Sequence, residues 1–185
     1  SMVSDLLLES GISLQQLDGI AFGEGPGSFT GLRIACGVAQ GLAFAMNIPV
    51  VGVSTLKALA TQAGNTKVVV ALDARMGEIY YAAYEKITDQ DWKTVNAPIL
   101  CAPRNAPNLT GNDWVGCGSG FDVFNNELGE RYCNHIQETR SGLFPRAKEI
   151  VQLALPVLKC GNGIHPSVAV PSYIRNKVAL KESER

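Results

Sequence analysis

The sequence is poor in the residues on which several kinds of site depend. Its 185 residues include two histidines, His135 and His165, and these are too far apart to form the paired motif of a zinc peptidase. Five cysteines occur, but no two of them form a C-x-x-C pair, the usual sign of a structural zinc or dithiol site. We therefore expect no metal ligands and no cofactor, and we interpret both histidines as surface residues.

The sequence also lacks an excess of basic residues. Sixteen Lys and Arg stand against 17 Asp and Glu, for a formal net charge of −1, so no broad positive field can hold nucleic acid unaided. No secretory signal and no uninterrupted membrane span is visible. The odd number and wide spacing of the cysteines suit a reducing compartment. We predict a cytoplasmic protein that contacts no membrane and meets any RNA through another protein.

The most informative stretch is residues 20–53, which read as an apolar strand, a glycine turn, a helix at Phe29–Met46 and a second strand. One side of the helix carries an apolar stripe formed by Leu32, Cys36, Ala39, Ala43 and Met46. The other side carries Phe29, Gly37, Gly41 and Phe44, and the only interruptions are Thr30, Arg33 and Gln40. A helix that is apolar all round is buried on more than one side. It is either the central helix of a large domain or, as we favour, a helix that docks against another subunit.

The glycine turn before this helix is also open to two interpretations. Gly25, Gly27 and the helix-capping Ser28 place free N–H groups at the positive end of a helix dipole, which is a possible anion site. The spacing matches no nucleotide motif, because a Walker A loop needs a lysine at the helix start and a dinucleotide loop needs glycine where Thr30 stands. We favour a structural turn and keep the anion site as the alternative.

The rest of the chain predicts a second α/β unit. Lys67–Asp73 reads as a buried strand, and residues 78–84 return from it as the second strand of a hairpin. Further strands are expected at 92–95, 99–102 and Trp114–Cys117, with helices at 121–128 and 146–158. The order of strand, glycine turn and helix thus recurs at 115–128. We predict a duplicated α/β architecture in which residues 1–65 form one lobe and residues 66–185 form the other.

Three segments together resemble the TsaB (YeaZ) family of bacteria. They are the stretch GPGSFTGLRIACGVAQGLAFAMNIPVVGVSTLKALA, the hairpin DARMGEIY at 73–80 and the motif PSYIRNKVA at 171–179. The resemblance implies an actin-like ATPase (ribonuclease H-like) fold with two similar lobes. It also implies a role in making threonylcarbamoyladenosine in tRNA, as a non-catalytic partner of the transferase TsaD and the small ATPase TsaE.

The resemblance further implies a homodimer and a helical bundle through which TsaD is bound, with Phe29–Met46 as one of its helices. The expected partner interface comprises Phe29, Leu32, Arg33, Cys36, Gly37, Gln40, Gly41, Ala43 and Phe44. Members of the family begin with a strand hairpin and a third strand, whereas this sequence starts within the helix that follows. We therefore expect a truncated N-terminal lobe, and tRNA contact only through the complex.

Two other functions stay open from the residues. An ATP-binding enzyme of the actin-like superfamily would use the contacts Gly25, Gly27, Ser28, Thr30, Asp73 and Arg75. Ala74 and Arg75 stand where such hairpins have glycine, so we favour a structural ion pair of Arg75 with Glu78 over a ligand site. A metalloprotease is the remote alternative, and no catalytic residue is predicted.

Overall fold

The computed structural model describes residues 2–88 and 91–175, which form two sheets. The smaller sheet consists of β1 (Ile20–Gly25) and β2 (Val50–Ser54), joined by α2 (Phe29–Met46). The strands run parallel, from the pair Ile20 and Val50 to the pair Gly23 and Val53. This is the predicted result of a helical crossover. Before β1, α1 (Met2–Ser10) has no buried residue.

The larger sheet has five strands in the order β5-β4-β3-β6-β7. Their bounds are β3 (Lys67–Asp73), β4 (Ile79–Lys86), β5 (Trp92–Cys101), β6 (Trp114–Cys117) and β7 (Ile136–Arg140). β3 and β4 form the predicted antiparallel hairpin, and β6 pairs parallel to β3. One prediction was wrong, and one strand was missed. The two short strands expected after the hairpin are one irregular edge strand, β5, and β7 was missed because IQETR lacks alternating apolar residues.

Two helices lie between the sheets. α3 (Thr55–Ala63) and α6 (Ala147–Lys159) share one apolar core with residues of β2, β3 and β4. Side chains alternate along β3, so that Val68 and Val70 face this core and Val69 and Ala71 face a second one. Burial on both faces explains the continuous apolar run of the strand.

The second core covers the far side of the large sheet. Its helices are α4 (Ser119–Val123) and α5 (Asn125–Tyr132), which meet at Phe124, so the single helix expected at 121–128 is divided. α6 (Ala147–Lys159) continues past Pro156 and lies within one residue of the predicted bounds 146–158. The segment after α6 returns to the small sheet through a bridge between Val50 and Ile164. The division of the chain near residue 65 stays a prediction.

Candidate functional site

α2 is held at both ends by its caps. At the start, the Ser28 hydroxyl accepts the N–H of Gly31 at 3.4 Å. At the end, Asn47 takes a left-handed conformation with φ 53°, and its N–H donates to Phe44 O. Among the described residues, α2 is also the one helix that matches a membrane span in length and apolar composition, a property shared by core helices.

The inner face of α2 packs on its own sheet. Leu32, Cys36, Ala39 and Ala43 are all at least nine-tenths buried, and three of them share a core with Phe22 of β1. The apolar stripe read from the sequence is therefore real. Three of the residues predicted to face a partner, Leu32, Cys36 and Ala43, belong to this inner face, and that part of the prediction was wrong because the stripe covers the sheet.

The outer face of α2 is open to solvent and strongly apolar. Ile34, Val38 and Phe44 expose 62%, 50% and 66% of their surface. Gly37 and Gly41 lie on the same side, and apart from the adjoining backbone of α2 itself, nothing in the described chain lies within 4 Å of a Cβ added to either. Contiguous exposed apolar surface of this kind is typical of an interaction site. The sequence reasoning missed Ile34 and Val38, although their spacing of four opposite the inner stripe was a usable signal.

The first turn of α2 contacts the end of the described chain. The guanidinium of Arg33 lies 3.9 Å from the centre of the Phe29 ring, and its Nε donates to Tyr173 Oη at 2.9 Å. The Phe29 and Tyr173 rings are 5.5 Å apart. Tyr173 itself lies in no helix or strand. The rest of the motif at 171–179 lies outside the described residues.

The last turns of α2 border a shallow apolar groove. Gln40 donates from Nε2 to Pro166 O and Ala169 O, at 3.1 and 3.0 Å, so its side chain is tied to the segment after α6. Gly41, Phe44 and Pro166 line the groove beside it. The predicted interface residue Gln40 is thus half-buried, with its amide already in use.

A cleft of about 650 Å³ lies between the two sheets. It brings together four of the predicted anion or nucleotide contacts, Gly27, Ser28, Asp73 and Arg75, from the turn that follows β1 and from the end of β3 and the turn after it. The other two, Gly25 and Thr30, do not line it. Gly25 has φ +121°, and a Cβ there would lie 2.8 Å from Ser172 O, so this glycine is required by a close approach within the chain itself.

The ionic groups of the cleft are paired differently from the prediction. Arg75 pairs with Asp73, Nη1 to Oδ2 at 3.1 Å, and its N–H donates to the other carboxylate oxygen. Glu78 pairs with Arg175, Oε2 to Nη2 at 2.7 Å. The expected side-chain pair of Arg75 with Glu78 is therefore wrong, because Asp73 is nearer on the tight turn and Arg175 arrives from a distant segment that spacing does not reveal.

The two histidines lie in separate loops. His135 Nδ1 is 2.6 Å from Gly111 O, and His165 Nδ1 is 2.7 Å from Ser167 Oγ. His135 is half-buried, whereas His165 is exposed. Within residues 2–88 and 91–175, no three His, Cys, Asp or Glu side chains come together as a group that could hold a metal ion.

Comparison with known proteins gives consistent matches. A family model described as TsaD, tRNA N6-adenosine threonylcarbamoyltransferase, matches residues 1–182. The tRNA threonylcarbamoyladenosine biosynthesis proteins TsaB of Escherichia coli and Haemophilus influenzae are 36% and 34% identical, each over 98% of this chain and 80% of their own length. A crystal structure from Pseudomonas aeruginosa, described as similar to peptidase YEAZ, is 37% identical with a TM-score of 0.85, covering 94% of this chain and 81% of that one.

Proposed function

This chain belongs to the TsaB family, and we propose that it serves in the biosynthesis of threonylcarbamoyladenosine in tRNA as a partner subunit without chemistry of its own. Its relatives are named as tRNA threonylcarbamoyladenosine biosynthesis proteins. The observation that carries the partner role is the outer face of α2, where Ile34, Val38 and Phe44 are exposed around two glycines. We propose that the protein acts in the cytoplasm, because its five cysteines are free thiols and free thiols are typical of a reducing compartment.

The partners we propose are a second copy of this chain, the transferase TsaD and the ATPase TsaE, with tRNA contacted only through the complex. Gly37 and Gly41 let the backbone of another helix approach closely. Burial of an exposed aliphatic or aromatic side chain is worth roughly 1.5–3 kcal/mol. The side chains of the outer face therefore suit a stable helix-to-helix contact.

The test uses two matched valines on exposed helix faces. Val38 on α2 is 50% exposed and Val151 on α6 is 48% exposed. We expect Val38→Glu to weaken self-association, and binding of purified TsaD, by about tenfold or more, because a buried carboxylate without a partner is costly. Val151→Glu is the control and leaves both unchanged. Sedimentation velocity and titration calorimetry measure the two affinities. Equal behaviour of the two variants overturns the proposal.

Ala39 and Ala43, at first sight natural positions for a charge, are unsuitable for this test. Both are buried against the small sheet, with 4% and 0% of their surface exposed. A charge at either position would disrupt the core of the chain itself. Loss of binding in such a variant would then report unfolding and not a lost interface.

A second candidate function is nucleotide binding in the cleft. It is favoured by the residues that line the cleft, which include Gly27, Ser28, Asp73 and Arg75. Against it stands the pairing of Asp73 with Arg75, which already satisfies the carboxylate. Calorimetric titration with Mg-ATP separates the two functions. Micromolar binding that is lost in Asp73→Ala would replace the partner role with an ATP-dependent one, whereas we expect no heat of binding.

A further inference from the structure

We propose that residues 171–175 form a latch that joins the two sheets across the mouth of the cleft and fixes the first turn of α2. These residues lie in no helix or strand, and four of them line the cleft. Their contacts reach both sheets, and each end of the latch is held by polar groups. The link from the latch to partner binding rests on the proposed function, but the latch itself does not.

On the small-sheet side, the latch is bound to β1 and α2. The N–H of Ser172 donates to Glu24 O at the end of β1, at 2.7 Å. Tyr173 accepts the Nε–H of Arg33 and lies against Phe29. These contacts hold two side chains of the first turn of α2 in one arrangement.

On the large-sheet side, the latch is held by the polar contacts of Arg175. Arg175 pairs with Glu78 at 2.7 Å and donates to Ala74 O at 3.1 Å, with its side chain only 13% exposed. It thereby clamps the β3–β4 turn, in which Arg75 and Met76 take left-handed conformations with φ 63° and 58°. A turn with two such residues is held in place by its surroundings, and Arg175 supplies part of them.

The contacts at the two ends differ from those of a packed core. Apart from the ring contact of Phe29 with Tyr173, they join polar groups at the edge of the cleft, to which water can bind instead without exposure of the apolar cores. The latch can therefore open locally. Because Phe29 and Arg33 lie on the exposed first turn of α2, a partner that engages either residue competes with Tyr173. Partner binding and latch opening are then linked, and each affects the other equally.

Hydrogen exchange tests the latch in the isolated protein. We expect Arg175→Ala to speed exchange of the Ser172 amide and of peptides covering residues 24–33 and 74–78 by about threefold or more, with α6 unchanged. Glu78→Gln removes the same ion pair from the other side and gives the same pattern. The control is Arg75→Ala, whose side chain is 87% exposed and pairs within the turn. If hydrogen exchange at residues 24–33 is no faster in Arg175→Ala than in the Arg75→Ala control, the latch proposal is wrong.

Association separates the latch from the proposed function. Because the partner competes with Tyr173, we expect Arg175→Ala to raise the affinity of TsaD severalfold, although Arg175 is not on α2, and we expect no added effect when Arg33→Ala is already present. If the effects of the two substitutions on TsaD affinity are additive, the latch and partner binding are not coupled. If Arg175→Ala speeds exchange while neither it nor Val38→Glu alters association, the latch stands and the partner role of α2 fails.

Discussion

At the scale of single residues, the tightest constraint in the described chain is a glycine between β6 and α4. Gly118 has φ +98°, and a Cβ at this position would collide with the carbonyl oxygen of Ala71 on β3. It lets α4 begin directly beside the neighbouring strand, where Ser119 Oγ accepts the N–H of Asp73. The glycine turn predicted in the second lobe is thus required by close packing as well as by its dihedral angle.

We expect Gly118→Ala to lower the free energy of unfolding by about 2 kcal/mol or more, because both the φ angle and the collision oppose a side chain. The matched control is Gly129→Ala, at a site in α5 where nothing lies within 4 Å of an added Cβ. That change gains about 0.5–1 kcal/mol from helix propensity. Urea unfolding measures both variants, and a Gly118→Ala protein as stable as the unmodified one contradicts the explanation.

At the scale of elements, α2 is a helix with two apolar faces of different purpose. The inner face closes the small sheet through Cys36, Ala39 and Ala43. The outer face has glycines at positions where alanine would make a helix with no partner more stable. Small residues on an exposed face have a clear use only if another helix lies against them.

We expect Gly37→Ala and Gly41→Ala each to raise the stability of the monomer by about 0.5–1 kcal/mol, since both sites are helical and open. The same changes should weaken self-association and TsaD binding, because the added methyl groups separate the helices. Thermal unfolding at low concentration and sedimentation velocity measure the two effects. Tighter association of the alanine variants would show that this face is not a helix-packing surface.

At the scale of the whole molecule, the cores keep buried acids of the described residues neutral, among them Cys117, Tyr84, Tyr81 and Tyr132. Burial raises the pKa of Cys117 and of Tyr84 to about 12 each. Burial also raises the pKa of Tyr81 and Tyr132, which stack on each other at 6.3 Å. All four ionise at lower pH in the unfolded chain than in the folded one. Their contribution to stability is complete below pH 9 and is lost as the pH rises towards 12.

We therefore expect the free energy of unfolding to fall above pH 9. Cys117 acts before the tyrosines, because a thiol in the unfolded chain ionises near pH 9, and it alone removes about 1 kcal/mol by pH 10. Urea unfolding at pH 8 and pH 10 measures the loss, which should be smaller in Cys117→Ala by the amount due to the thiol. An unchanged transition midpoint over this range would contradict the assignment.

The sequence by itself determined the local elements and the family. The bounds of α2, β3 and β6 follow from runs of apolar residues, from the Ser28 cap and from glycines at the turns. The resemblance to the TsaB family and the actin-like fold is confirmed by relatives that cover nearly the whole chain. Local signals are enough here because capping and periodicity act within a few residues.

Only the tertiary structure decided which sides of these elements meet. It placed Leu32, Cys36 and Ala43 in the core and left Ile34 and Val38 exposed, because the side of an all-apolar helix that faces the sheet depends on the crossover and not on the pattern. It added β7, whose polar residues give no strand signal. It also paired Glu78 with Arg175, about a hundred residues away, since ion pairs across a cleft depend on distance in space and leave no mark in the spacing of the sequence.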